Sequence, residues 1–247
     1  MFLTPRWLLS HLFAISVVAA FIGAGLWQIE RLSQRQDENV LIESRMDAPV
    51  LLEDVVGSDP TTLEFRRVQV SGTYDPSQQI LIANRSDEGA PGFWLWTNLA
   101  TADGDLLINR GFVNRGVILE TEGSAPLTDT DAETATIVLE GLVREGLDDG
   151  RASEDGSQLT RPDARLAAEL LELDTALDPT FYLELDAQEP PRVSSIPTPV
   201  PAPDLGEGPH RSYAFQWFTF ATIGTIGYAL VLIRIRRGDQ TRGDVPI

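Results

Sequence analysis

Apolar residues follow three different patterns along this chain. Two runs are nearly unbroken: 8–28 and 213–233 are each 21 residues long, without a formal charge apart from any on His11. About 20 apolar residues in a helix cross the hydrocarbon core of a bilayer, so both read as transmembrane helices. Between them the pattern shortens. Residues 65–74 alternate apolar and polar, with Gly72 as a bulge, and 79–84 and 93–99 are short and apolar. With 105–113, 136–144 and 180–186 they make six predicted strands, and Pro91 with Gly92 and Asp103 with Gly104 supply turns. The third pattern is helical, from Pro162 in the first turn through Leu173. The charged stretch 30–46 predicts a juxtamembrane helix. The whole reads as a membrane protein in which two transmembrane α-helices flank an α+β ectodomain, built on an antiparallel sheet or small barrel of about six strands.

The expected organisation is a cytoplasmic tail over 1–7, a span over 8–28, an extracytoplasmic domain over 29–188, a strap over 189–209, a span over 210–233 and a cytoplasmic tail over 234–247. The strap holds seven prolines and is expected to be extended and semi-rigid. Residues 119–135 and 145–158, rich in Asp, Glu, Gly, Ser and Thr, are expected to be mobile, solvated loops. The first apolar run exceeds the usual length of a signal-peptide core and lacks a small-x-small cleavage site, which predicts an uncleaved anchor. It starts within eight residues of Met1, leaving no room for a transit peptide, so a bacterial inner membrane is expected.

Charge orients the spans. Residues 30–212 carry 35 acidic residues against 14 arginines, a net of −21, within a chain of net −18. Arg6 lies before the first span, and Arg234, Arg236, Arg237 and Arg242 follow the second. Arginines at both ends place both termini in the cytoplasm. So acidic a middle segment is a poor partner for nucleic acid or anionic lipid. The absence of cysteine excludes disulfides, covalent haem attachment and iron–sulfur ligation. No dinucleotide fingerprint, phosphate loop or zinc-protease motif occurs. Neither histidine is placed to serve a serine nucleophile, so no catalytic residue is assigned and the chain does not read as an enzyme.

One of the two histidines opens the second span. At 100° per residue, His210, Ala214, Trp217, Ala221, Gly224 and Tyr228 share one helix face, with Tyr213 close beside it. On the first span Ala20, Ala24 and Trp27 share a face, flanked by Gly23 and Gly25. Packed together, the spans would leave an aromatic-walled slot rimmed by His210, Tyr213, Gln216, Trp217, Trp27 and Gln28. Two readings of these residues stand. They form an aromatic belt with His210 in the lipid headgroups, or His210 is a metal or haem-iron ligand with Arg211 paired to a propionate. Arg211 could equally snorkel to lipid phosphate. His11 lies near the cytoplasmic end of its span, ~24 Å of helix from Trp27, and is expected to serve helix packing.

The blocks AGLWQIERL (24–32), EFRRVQVSGTYD (64–75), LIANR (81–85), GFWLWTNLATADGDLLINRGFV (92–113) and EGPHRSYAFQWFTFA (207–221) resemble, in order and spacing, the surfeit locus protein 1 family. The chain departs from that pattern at Arg211, at Glu30 and in its very acidic loops. The resemblance implies a cytochrome c oxidase assembly factor with two membrane helices and a domain outside the inner membrane, without catalytic turnover. It further implies that haem a is bound by the histidine opening the second helix, here His210, and is delivered to the haem-a-containing oxidase subunit. Haem a synthase is a further implied partner, besides membrane lipid. A cofactor-free scaffold that stabilises an oxidase assembly intermediate is the alternative.

Overall fold

The computed structural model describes residues 4–120, 135–173, 177, 179–192 and 194–243. Two compact units result, one of Met1–Leu41 with Asp204–Ile247 and the other of Ile42–Pro203. The first is a pair of long helices, α1 (Pro5–Met46) and α5 (His210–Gly243). Both are long and apolar enough to cross a membrane. The predicted juxtamembrane helix is thus the continuation of α1, since no residue between Gln28 and Met46 breaks the turn.

The second unit is a closed barrel. Strand β2 (Arg67–Asp87) pairs antiparallel with β3 (Ala90–Thr101), and β3 with β4 (Asp105–Asn114). Strand β4 runs parallel to β7 (Phe181–Glu189) through Ile108↔Leu183 and Asn109↔Glu184. Strand β7 pairs antiparallel with β5 (Ile137–Glu145), which returns to β2 through Arg67↔Leu142 to Gly72↔Ile137. Closure leaves the five-stranded ring without open edges. Of the two sheet forms expected from the sequence, the barrel is the one realised, with one parallel seam where β4 meets β7. Two-residue strands β1 (Val50–Leu51) and β6 (Gln158–Leu159) add to β2 in parallel.

The separate strands expected at 65–74 and 79–84 are one 21-residue strand. Register shifts between Asp75 and Gln79 and between Ile82 and Arg85 let β2 bend without ending. It can therefore pair with β5 along its first third and with β3 along the rest. Both faces of the sheet are covered, and alternate residues serve different cores. Leu106 and Ile108 pack with Val68, Tyr74 and Phe181, while Leu107 packs with Ile80, Trp96 and Tyr182. That two-sided burial explains why β4 is buried without alternation from Leu106 to Val113, Asn109 and Arg110 included.

Helix α4 (Ala164–Leu170) covers the second core with Ala164, Ala167 and Ala168, whose small side chains let it press close to the sheet. Asp163 caps it, accepting from Leu166 N at 2.9 Å. Pro162 therefore lies just outside the helix rather than in its first turn, and the helix stops short of Leu173. Short helices α2 (Pro60–Leu63) and α3 (Arg115–Glu120) lie in connections.

Segment 145–158 is fastened rather than loose. Leu147 N donates to Pro162 O at 2.8 Å, Thr160 N to Arg151 O at 2.9 Å and Ser153 N to Gln158 O at 2.9 Å. Most of the other expected loop, 121–134, lies outside the described residues. The proline-rich segment is also anchored. Thr198 exchanges backbone hydrogen bonds with Phe112 at 2.7 and 2.8 Å, and Arg192 donates to Arg110 O at 2.9 Å. It crosses β4 at Gly111, where φ is +129° and a Cβ would overlap the carbonyl oxygen of Thr198.

Tyr74 is buried under the Arg110 guanidinium, which sits 4.6 Å from its ring. Its hydroxyl has no hydrogen-bond partner among the described residues. Burial pushes its pKa up to about 12, against the opposing pull of Arg110. Burial also raises the pKa of Tyr182. Both folded-state values lie above the ordinary 10.0, so this stability is complete below pH 10.0 and is lost as pH rises through the folded values. Tyr74→Phe should change stability at neutral pH by less than about 1 kcal/mol. It should remove up to about 2 kcal/mol of the loss measured by denaturant titration between pH 9 and 12. Superimposable curves for the two proteins would refute this assignment.

Candidate functional site

The helix pair is built on a repeat of three and four residues. On α1, His11, Val18, Phe21, Gly25 and Gln28 lie along one seam, with Asn39 on its continuation. On α5 the facing positions are His210, Ala214, Trp217, Ala221, Gly224 and Tyr228. Such spacing keeps one stripe of each helix against the other. The helices run antiparallel: Gln28 meets His210, Phe21 stacks on Trp217 with centroids 5.8 Å apart, Val18 meets Gly224, and His11 meets Tyr228. Ala214 and Ala221 are buried between them.

The α5 face matches the one read from helical phase, and the α1 face does not. Ala20 and Gly23 are exposed, and Trp27 is 56% exposed. The reason lies at Gly25, where a Cβ would come within 2.8 Å of the Phe218 ring. Only glycine admits that ring, so α1 turns Gly25 and Gln28 inward and Trp27 outward.

Of the expected rim, the structure brings His210 and Gln28 together. His210 Nδ1 lies 2.8 Å from Gln28 Oε1. A carboxamide oxygen can only accept, so this bond is made with a proton on Nδ1, the arrangement that in a neutral ring leaves the lone pair on Nε2. Gln28 is buried and His210 half-buried. Gly208 precedes the helix with φ +68°, and a Cβ there would stand 3.6 Å from His210 Nε2. Trp217 is half-buried against Phe21 and Phe220. Tyr213, Gln216, Arg211 and Trp27 are exposed.

Residues that sequence reasoning passed over hold the approach to His210. Arg35 donates to Asp204 O at 2.6 Å and to Gly206 O at 3.3 Å. Asn39 donates to Leu205 O at 2.5 Å, and Gln36 to Glu207 Oε1 at 2.6 Å. The segment leading into α5 is thereby clamped along α1. The signal was available: Phe21, Gln28 and Arg35 repeat at seven-residue spacing.

At the other end of the pair, Tyr228 Oη lies 2.6 Å from His11 Nδ1, with the rings edge to face. A cavity of about 590 Å³ between the helices there is lined by Ser10, Phe13, Ala14, Val17, Gly224 and Tyr228. Among the described residues no group of three or more His, Asp or Glu converges as a metal-ion site.

Two membrane-length helices paired through a histidine–glutamine hydrogen bond, with a closed five-stranded barrel between them in the chain, define a membrane-anchored barrel protein. The model of the SURF1 family matches residues 15–222, and the chain belongs to that family. A SURF1-like protein of Mycobacterium tuberculosis strain H37Rv is 25% identical over 268 residues, covering 99% of this chain and 91% of its own length. A SURF1-like protein of Monosiga brevicollis is 27% identical over 143 residues, 53% of each chain. One from Dictyostelium discoideum is 32% identical over 111 residues, 41% of each. The family is linked to cytochrome c oxidase assembly and is not one of known enzymes.

Gly25→Val would drive a branched side chain into the Phe218 ring. Overpacking of this kind costs about 1–3 kcal/mol. The purified variant in detergent should unfold at lower temperature, and combining it with Phe218→Ala should recover most of the loss. A variant as stable as the wild type would show that the helices do not meet at Gly25.

Proposed function

We propose that the protein binds haem a at the His210 end of the helix pair and aids its delivery to the haem-a-containing subunit of cytochrome c oxidase. The observation that carries this reading is the Gln28–His210 hydrogen bond. With the proton on Nδ1 shared with Gln28, the neutral imidazole has Nε2 left to bind iron, and Gly208 places no side chain over that nitrogen. A lone histidine is a poor site for a free metal ion but suits the iron of a haem. When bound, the group would bring an electrophilic iron. His210 would hold it, Gln28 would orient His210, and Trp217 with Phe21 would supply an apolar wall. Exposed Arg211 is placed next to the ligand, where a guanidinium suits a propionate.

The exposure of Trp27, Tyr213 and Gln216 favours a second role for this end of the pair, contact with the partner subunit. In a cofactor-free scaffold that contact would be the whole function. Haem a synthase fits as a further partner, as the source of the cargo. Spectra separate the readings. Protein purified from cells that make haem a should show a Soret band, and His210→Ala should lose at least nine-tenths of it while keeping its helical circular dichroism. Full haem content in His210→Ala would eliminate this ligand. Absence of a Soret band in the wild type at any haem supply, with the oxidase subunit still co-purifying, would establish the scaffold.

The reading also places α1 and α5 across a bacterial inner membrane with both termini cytoplasmic and the barrel outside, supported by Arg234, Arg236 and Arg237 beyond the second apolar run. A chain without cysteine gives no labelling background. Ser58→Cys, exposed on the barrel unit, should react with an impermeant maleimide in intact spheroplasts, and Thr4→Cys only after lysis. The reverse pattern would invert the topology.

A further inference from the structure

Outside the helix pair, the barrel unit gathers arginines where its composition is otherwise acidic. An open cavity of about 560 Å³ is lined by Asn84, Arg85, Asp149, Arg151, Thr160 and Arg161. Three of the 14 arginines in 30–212 meet there, against one carboxylate. A smaller neighbouring cavity shares Asn84 and Arg85 and adds Arg115.

Several independent features aim these groups. The shift of register between Ile82 and Arg85 gives β2 one residue more than β3 at that point, and Asn84 takes φ +58° to accommodate it. Bulges of this kind re-aim side chains beside functional sites, and a non-glycine residue at positive φ is a local strain that the surroundings must hold in place. Here the result is that Arg85 lies over Trp94, 4.1 Å from the ring centroid. Among the described residues its buried Nε has no hydrogen-bond partner and its guanidinium no carboxylate partner. The opposite wall is set by the fastened segment 145–162. Arg151 N donates to Thr160 Oγ1 at 3.1 Å, and Asn84 Nδ2 to Thr160 O at 3.4 Å, tying that segment to the bulge.

The charges do not cancel. Arg161 pairs with Asp149, whereas Arg85 and the exposed Arg151 have no ion pair among the described residues. The cavity thus keeps a formal charge of +2 inside a strongly acidic segment. Burial, and after it the neighbouring Arg161, lowers the pKa of Arg85 below the usual arginine value. Leaving a half-buried guanidinium with unmet donors beside a second cation is unfavourable unless something completes the site. Planar guanidinium forks match the oxygens of a phosphate, and two unpaired ones match its dianion better than a single carboxylate.

We propose that this cavity is a binding site for a dianionic phosphate group, gripped by Arg85 and Arg151 with Arg161 and Thr160 at its edge. Such a group could arrive as soluble phosphate or on an anionic lipid headgroup, and the same experiment tells them apart. The full chain is reconstituted in phosphatidylcholine nanodiscs and titrated calorimetrically with inorganic phosphate, with chloride adjusted to hold ionic strength. The wild type should bind saturably, and Arg85→Gln and Arg151→Gln should each weaken binding at least tenfold. Arg165→Gln, an exposed change on α4 outside the cavity, should leave it within twofold. Arg151 is exposed, so its variant tests the site even if Arg85→Gln fails to fold. Repeating the titration in discs containing phosphatidic acid identifies the source: a tenfold loss of apparent phosphate affinity assigns the site to a lipid headgroup, and unchanged affinity assigns it to the soluble ion. No saturable binding in phosphatidylcholine discs, or equal binding by all three variants, would overturn the proposal.

Discussion

Two hydrogen bonds at opposite ends of one helix seam govern the rest of the membrane unit. His11 meets Tyr228 and Gln28 meets His210. The partners are 17 residues apart on α1, about 26 Å of helix. In or near hydrocarbon a polar side chain without a mate is costly, so each bond is hard to give up. A slip of one residue would break both together. Between them the Phe218 ring at Gly25 permits close approach at one height only. Register, rotation and the protonated nitrogen of His210 are therefore consequences of the same arrangement.

The barrel depends on a different constraint, that five strands close with both faces buried. Closure places Arg67, Arg144 and Glu184 near the β5–β7 seam. Arg144 bridges Glu64 at 2.9 Å and Glu184 at 3.5 Å, and burial raises the pKa of Glu184 despite that cation. Glu64 also accepts from Glu145 N at 2.6 Å, so one side chain ties the α2 region to the end of β5. The strands are then buried on both faces, polar residues such as Asn98, Asn109 and Arg110 included. Arg85 stands at the bulge of β2.

Local pattern made much of this legible. Charge-free runs of 21 residues mark the spans, and the period-two stretches mark the strands. Pairings between distant residues were not legible, because alternation says which face a residue takes and not which strand lies beside it. The parallel β4–β7 seam and the continuity of β2 through Asp75–Gln79 belong to that class. On α1, a preference for small residues picked Ala20 and Ala24, whereas the deciding fact was a single glycine meeting a ring 193 residues later. Composition misjudged 145–158, since its backbone bonds run to Pro162 and Thr160 rather than to water. At the site, His210 was visible as a rare residue at a helix start. Its bond to Gln28 was not, because the two lie 182 residues apart.

Gly111 carries a consequence of its own. The proline-rich segment passes so close over β4 that the carbonyl of Thr198 occupies the place of a side chain, and Asn109 Oδ1 takes the Gly111 amide at 3.2 Å. Every single-base missense change of a glycine codon brings in a residue that has a Cβ. The lineage that carries this protein therefore has no single-step missense variant at that codon that keeps the crossing, whatever the chemistry of the new side chain. Drift at this position is closed by geometry alone, and a change there must be accompanied by a rerouted segment.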